Sequence, residues 1–480
     1  MMFLNSSIVD LSQKEIDEIK KGPNDYTETF APVSSKNRTW GVWDVSSLWI
    51  GMIVSIAVYQ VASGLLVSGM TWYQALFTIV LGHTLVMGVA IIIGHFGVKY
   101  GLGYPFLSKI VFGNKGKLIP SIIRGILGVF WFGVQTWIGG EALNIIIQTF
   151  IPSFSNMGFN ASIISFILFW FLNIYIATSG NKGVKILETF SAPILIIMSL
   201  IVIIWGLSTA DWSITKLLSA KVLQANNDTP FIKLFFPALS SMIAFDGGIA
   251  LSMADYTREC KNQKAQVYGQ LISAPLITGY VSFVGICGTA GAYLAFGKEI
   301  WEPAVLVGNF SNPIVRILFS IFIIMAVLTT NVAGNLMPAV NIVASYAKDK
   351  FSFKTITIFT AFLALLSQPW NSMSSAYHLI YEVTQFLGAL LGPLSGIYIA
   401  WYLFDVKTNV NLVDAYKIDE GIYNYNKGWN TEVIAIVLIL TGIVVGSKYI
   451  ESLKFIFNNA YVFGVFISMI LYKIYIKIKK

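Results

Sequence analysis

The scarcest commodity in this chain is charge. Asp, Glu, Lys and Arg together make up 12% of the 480 residues, roughly half the share of about 25% found in soluble domains. So thin a supply cannot solvate the surface of a water-soluble protein of this length, which excludes a soluble multidomain enzyme. Cysteine is nearly absent: Cys260 and Cys287 are the only two, too widely spaced for a disulfide framework or a metal motif. The three histidines, His83, His95 and His378, are scattered singly, and each reads as a core or interfacial residue rather than a metal ligand. No H-E-x-x-H or paired-histidine cluster occurs, so a membrane-embedded enzyme has no catalytic constellation to build on, and no bound cofactor is expected. The segment before Arg38 lacks the basic stretch and short apolar run of a cleaved signal peptide. It reads as a polar cytoplasmic tail with one short amphipathic helix near Gln13 to Lys20, broken by Pro23, Asn24 and Asp25.

What the chain has in excess is apolar sequence: hydrophobic residues reach 56% and the mean hydropathy is +0.70. They lie in runs of about 18 to 25, the length that spans hydrocarbon. Such runs begin near Ser46, Gln74, Leu118, Ser162, Lys185, Ile232, Tyr268, Pro313, Phe353, Ser375, Trp429 and Leu453. The pattern predicts an all-α integral membrane protein of twelve spans, the third and eighth long enough to tilt or extend beyond the bilayer.

The net charge of +8 does not point to nucleic acid, because the cations sit between the apolar runs and are not interleaved with aromatics. They set topology instead. Lys99, Lys109, Lys115 and Lys117 follow the second run, Lys182 and Lys185 the fourth, Arg258, Lys261 and Lys264 the sixth, and Lys348, Lys350 and Lys354 the eighth. Lys477, Lys479 and Lys480 close the chain, whereas the segments 151–161 and 369–375 carry no cation. The positive-inside rule places both termini in the cytoplasm of a multi-pass protein of the plasma (inner) membrane. The expected partners are the lipid bilayer and a small molecule, and a single chain is the expected functional unit.

Transporters are often built from inverted repeats whose equivalent helices are broken near the midplane. The sixth run contains Phe245-Asp246-Gly247-Gly248-Ile249, two glycines beside a carboxylate. Glycine weakens helix, so a break is expected near 243–249. In the first run Gly51, Ser55, Ser63 and Gly64 suit either a break or plain helix packing. The expected division is a tail 1–45, a first five-helix repeat 46–208, a second 209–404, a cytoplasmic loop 405–428, and two extra helices with a basic tail 429–480. A discontinuous helix suits a carrier better than a channel, and no ring-forming selectivity motif appears.

Several stretches resemble the nucleobase–cation symporter-1 family, carriers of hydantoins, allantoin, uracil, cytosine and related compounds. The third run reads Trp131-Phe132-Gly133-Val134-Gln135-Thr136-Trp137-Ile138-Gly139-Gly140. Lys99-Tyr100-Gly101 with Tyr104-Pro105-Phe106, and Ala254-Asp255-Tyr256-Thr257-Arg258, match as well. So do Thr329-Thr330-Asn331 with Asn335, Leu391-Gly392-Pro393-Leu394-Ser395-Gly396, and the stretch Val410 to Trp429. The resemblance covers nearly the whole chain after Arg38. It implies the five-plus-five inverted-repeat fold shared with sodium-coupled amino-acid transporters, two additional C-terminal helices, and alternating access between a four-helix bundle and a hash-like scaffold.

Trp131 and Gln135 lie four apart and so share one helix face. An indole offers a stacking surface and an amide both a donor and an acceptor, which suits a flat nitrogen heterocycle. The resemblance adds Asn335 to the substrate site. Hydantoin-type members carry a Gly-Trp pair in the sixth span that falls here on Phe245 and Asp246, which puts hydantoin specificity in doubt and leaves Phe245 as the aromatic available for stacking. A midplane carboxylate is costly; Asp246 is expected to contact substrate, to carry a coupled proton, or to cap the second half of a broken helix. Glu141 and Glu382 are the other carboxylates in spans without an evident partner. For the coupled cation, the resemblance points to sodium held by the Thr329 and Thr330 hydroxyls, the Ala326 carbonyl, and carbonyls of the unwound first span near Met52 and Ser55. Oxygen-only ligation suits a hard cation, and a proton is the other candidate. An amino-acid or amine carrier of the same fold is the competing function, and the Trp131–Gln135 pair argues against it.

Overall fold

A computed structural model describes residues 4, 6–26, 31–178, 180–224, 229–347, 350–373, 375–418 and 420–479; of 180–193, 345 and 377 only the backbone is described. Lys348 and Lys480 and the side chains of Lys182 and Lys185, all part of the charge argument, lie outside the described residues.

The described chain is helical from end to end, with isolated bridges but no named β-strand. In a bilayer core every backbone group must be satisfied within its own segment, and long apolar helices are the consequence. Eight described helices are long and apolar enough to cross a membrane, and two bent pairs raise that to ten. Two shorter apolar helices, Ile194–Thr209 and Phe353–Ser367, fall where the fifth and ninth spans are expected. The third span, Leu118–Phe150, and the eighth, Pro313–Ala344, run to 33 and 32 residues; the seventh, Gln263–Phe296, is longer still at 34, which its interrupting glycines and Pro275 conceal in the sequence. The expected start of the twelfth span near Leu453 is corrected. Glu451–Phe457 is bent by 119° from Thr431–Ser447, and the twelfth span is Ala460–Lys479.

The inverted-repeat pattern is visible in the element order. A long second span, Trp72–Tyr100, leads into a short Pro-initiated helix, Tyr104–Phe112, and then into the long third span. The long seventh span likewise leads into a short Pro-initiated helix, Pro303–Gly308, and then into the long eighth. The first short helix lies among Lys99, Lys109 and Lys117, the second beside Glu299 and Glu302.

The first span is two helices, Val42–Ile53 and Ile56–Val67, set at 57°. Ser55 is extended (φ −128°, ψ 151°), and its hydroxyl caps the second half by accepting from the Val58 N–H at 3.3 Å. The break expected in the sixth span at 243–249 is absent: Phe231–Leu251 is one continuous helix. Gly247 serves close packing instead of unwinding. A Cβ on Gly247 would come within 2.7 Å of the Tyr461 ring and 3.2 Å of Leu391. The interruption comes later, at Ser252, after which Met253–Thr257 forms a short helix.

Packing divides the spans into two blocks. The first, second, sixth and seventh pack on one another, and the third, fourth, eighth and ninth do likewise. The tenth span, which includes Thr384–Ala400, packs on the sixth and the twelfth. At one end of the bundle the N-terminal segment runs across the connections: Val9 N–H donates to Lys99 O, Asp25 N–H to Tyr416 O, and Lys109 pairs with Asp25 at 2.9 Å.

Candidate functional site

The two blocks meet where the third span faces the sixth. Trp131 and Gln135 are both buried on one face of the third span, as their spacing requires. The Gln135 Oε1 makes no hydrogen bond to the protein although it is buried. An unpaired buried amide oxygen costs roughly 1–3 kcal/mol, so a hydrogen-bond donor brought to it would be bound favourably. Phe245 of the sixth span meets Trp131 edge to face, with ring centroids 4.9 Å apart and planes at 66°. The Phe245 ring therefore touches the indole across the interface between the sixth and third spans.

Asp246 does not reach into that slot. It is 3% exposed, and its Oδ2 lies 3.1 Å from Nε2 of His83 on the second span. The close approach has a local cause: Gly82 sits against the sixth span, where a Cβ would come within 2.4 Å of Met242 Cβ. One residue on from Gly82 and one helical turn on from Met242, His83 and Asp246 are thereby set opposite each other. Because the sixth span runs unbroken through 246, Asp246 caps no helix terminus, and that reading is corrected. His83 is not a plain core histidine either. A partner on a distant helix leaves no local sequence signal.

Asn335 joins the site indirectly. The eighth span is π-helical over Asn331–Leu336, a distortion frequent at functional sites. There Asn335 donates to Asn331 Oδ1 at 3.0 Å, and Asn331 donates to Phe132 O, Thr136 Oγ1 and Asn173 Oδ1. This asparagine network ties the eighth span to the third and fourth on the face adjoining Trp131 and Gln135. Asn331, Asn173 and Thr136 were not foreseen as part of it, although Asn331 stands inside the Thr329-Thr330-Asn331 motif.

Of the expected cation ligands, Ser55 of the first span and Ala326 of the eighth line one cavity, and Thr329 and Thr330 bond within their own helix. The Thr329 hydroxyl donates to Met325 O at 3.1 Å and Ala326 O at 3.0 Å, and the Thr330 hydroxyl to Ala326 O at 3.0 Å. Donating inward leaves the hydroxyl lone pairs free to accept a cation. Ser55 and Ala326 line one cavity, together with Val54, Tyr59 and Phe322. Met52 lies in the last turn of the helix ending at Ile53, where carbonyls lose their intrahelical partners.

The other carboxylates now have surroundings. Glu382 forms an ion pair with Lys448 at the end of the eleventh span. Glu141 lies beside Ser162 and Asn144, which bond each other at 3.4 Å. Asp255 accepts from the Tyr104 N–H at 2.8 Å, and a Cβ on Gly103 would lie 2.3 Å from its Oδ1. That contact explains why the Lys99–Phe106 and Ala254–Arg258 motifs occur together: one starts the short helix that the other caps. Arg124 donates to Ser252 Oγ at 2.8 Å, at the point where the sixth span ends.

Residues 32–466 match the family described as permease for cytosine/purines, uracil, thiamine, allantoin. A purine-uracil permease of Arabidopsis thaliana is 32% identical over 441 residues, covering 89% of this chain and 72% of that protein. An allantoin permease of Bacillus subtilis is 28% identical over 462 residues, covering 94% and 93%. The fold is similar to the inward-facing conformation of Mhp1, with TM-score 0.77 and 23% identity over 94% of each chain. It is similar also to Mhp1 closed on bromovinylhydantoin, described as a nucleobase-cation-symport-1 family transporter, with TM-score 0.76 and 22% identity over 94% and 96%. The chain therefore belongs to the family of permeases for cytosine and purines, uracil, thiamine and allantoin.

Proposed function

We propose that this permease imports a small planar nitrogen heterocycle together with a cation, by alternating access, with both termini on the cytoplasmic side of the plasma (inner) membrane and a single chain as the working unit. The observation that carries the reading is the buried, unpaired Gln135 Oε1 one helical turn from the Trp131 indole. The indole supplies a stacking face and the amide an edge-on acceptor, the two contacts a flat ring with N–H groups requires. Phe245 bounds the slot from the sixth span, Asp246 backs it through His83, and Asn335 supports it through Asn331.

Sodium is the cation that the oxygen set of Met52, Ser55, Ala326, Thr329 and Thr330 suits. With substrate between the third and sixth spans and cation between the first and eighth, each ligand bridges the two packing blocks, so each biases their relative position. The relatives named for purine, uracil and allantoin transport support a heterocyclic substrate.

The test is uptake by the full chain reconstituted in liposomes, using labelled allantoin, uracil, cytosine and a hydantoin, with and without a sodium gradient. At least one ring should accumulate, and sodium should accelerate its uptake in wild type more than in the Thr329→Ala/Thr330→Ala double variant. Failure to take up any of the panel refutes the substrate reading. Sodium-independent uptake refutes the cation assignment.

A further inference from the structure

We propose that the apolar cavity beside the bend of the first span binds a small uncharged aromatic guest, and that a guest there holds the two packing blocks in place and slows transport. The cavity has a local cause. The seventh span grips both halves of the bent first span: a Cβ on Gly269 would come within 2.6 Å of Val45 Cβ, and one on Gly285 within 2.8 Å of Tyr59 O. Between those grips the chain at residues 54–56 leaves the helical path, with Ser55 extended. The bend leaves a cavity of about 50 Å³ beside it. One water needs roughly 10–15 Å³, so there is room for a guest larger than water.

The core is parted at this place. Tyr59, Val202 and Val284 pack as one group, Leu306 with Trp205 and Phe310 as another, and Val54, Phe322 and Ile323 belong to the main core. All of them line the cavity, and no charged residue does among those described. The hydroxyls of the wall are engaged elsewhere. Ser55 Oγ accepts from the Val58 N–H, Ser199 Oγ bonds Ile196 O at 2.8 Å and Tyr280 Oη at 2.6 Å, and the Tyr59 hydroxyl lies against Gly288. An apolar cavity of this kind stays dry and takes apolar guests, which restore the dispersion contacts that an empty wall lacks. Trp205, Phe310 and Phe319 form one side of it. Trp205 meets Phe310 edge to face at 5.1 Å, and Phe310 stacks on Phe319 at 5.8 Å. A guest with a ring continues that array, which sets the class as a small uncharged aromatic.

Position gives the guest its consequence. Val54, Tyr59 and Val284 belong to the block of the first and seventh spans, and Phe322 and Ile323 to the block of the eighth. Val202 belongs to the fifth span, which packs on both the seventh and the eighth. Displacement of one block against the other therefore changes the shape of the cavity. A guest that fits it as it stands binds this arrangement better than any other, and by that difference holds the blocks where they are. Ser55 and Ala326 are shared with the expected cation set; the guest takes the apolar remainder, bounded by Tyr59, the fifth span and the three rings. Guest binding is independent of which heterocycle and cation are transported, and only its effect on uptake rests on the proposed transport.

The experiment uses the purified full chain with bromobenzene, whose heavy atom quenches tryptophan fluorescence. Quenching of wild type should contain a saturable component that Trp205→Phe removes. Benzene should displace it, and phenol, whose hydroxyl finds no partner in the cavity, should do so roughly five- to 150-fold less well. Val284→Phe and Val202→Phe each fill the space with a ring of their own and should show only the linear quenching of bromobenzene dissolved in the micelle. In liposomes, benzene should lower the maximal uptake rate of a transported heterocycle in wild type without raising the concentration that gives half that rate. Purely linear quenching in wild type overturns the proposal, as does phenol displacing as well as benzene. Saturable quenching retained in Trp205→Phe and in both filled variants places the guest elsewhere and overturns it. Full displacement of bromobenzene by sodium overturns it too, since the cavity would then be the cation site. Saturable binding with unaltered wild-type uptake overturns the holding role. Should the filled variants fail to fold, the comparison of benzene with phenol on wild type decides. If wild type takes up no heterocycle, the substrate reading fails separately, and the quenching still decides the guest site.

Discussion

At the scale of single residues, Trp131 and Gln135 make separable predictions because one is packed and the other is not. Trp131 touches Phe130 as well as Phe245, and Trp131→Ala removes the stacking platform. Loss of one base–aromatic stack is worth about 1–3 kcal/mol, so affinity should fall roughly five- to 150-fold, measured by titration of purified protein. Gln135→Met keeps the volume but deletes an acceptor that bonds nothing in the protein. Removing an unsatisfied buried polar group does not weaken a fold. The variant should therefore melt at or above the wild-type temperature while losing substrate affinity. A drop in melting temperature with affinity intact would show that the amide serves packing. This pair was legible in the sequence because both members sit on one helix, where spacing alone fixes the geometry. His83 was not, because its meaning depends on Asp246 in another span, and a single polar residue in an apolar run carries no record of what faces it.

At the scale of elements, the sequence exposed helices well and interruptions poorly. Gly247-Gly248 signalled a break, yet the helix passes through, and Tyr461 and Leu391 occupy the space that a side chain at 247 would need. Ser55 gave a weaker signal and stands at a real bend, where its hydroxyl caps the next helix. The difference lies in partners that local propensity cannot see: glycine permits unwinding and close approach alike. The π-helical stretches Asn331–Leu336 and Leu379–Val383 left no trace in composition either. One element outside the spans carries a pH prediction. Glu302 precedes the short helix Pro303–Gly308, and burial, reinforced by the Glu141 carboxylate, pushes it from an ordinary 4.5 up to about 7. Its folded form thus holds a proton that its unfolded form has released between those values. Stability should fall as pH rises from about 4.5 through about 7. The melting temperature of the purified protein should decline over that window, and Glu302→Gln should flatten the decline. An unchanged profile in the variant would assign the pH dependence to another group.

At the scale of the whole molecule, the candidate sites gain meaning from where the two packing blocks meet. Trp131 belongs to one block and Phe245 to the other; Ala326 and Ser55 are divided the same way. A ligand at either place changes the free energy of one block against the other, while contacts within each block are left as they were. Packed cores resist continuous deformation, so the motion should be a displacement of blocks rather than a bending of helices. Lys264 opens the seventh span in one block, whereas Lys115 precedes the third span and Lys354 opens the ninth in the other; all three are exposed. Cys260 and Cys287 are buried, which favours selective labelling of cysteines introduced at those lysines. Spin-label distances between positions 264 and 354 should shift when sodium and a transported heterocycle are added together. Distances between 115 and 354, within one block, should stay constant. A shift of equal size in both pairs would mean that the blocks seen in the packing are not the moving parts. Constancy in both would mean that neither ligand acts across the interface, and the bridging placement of Trp131, Phe245, Ser55 and Ala326 would lose its mechanical role.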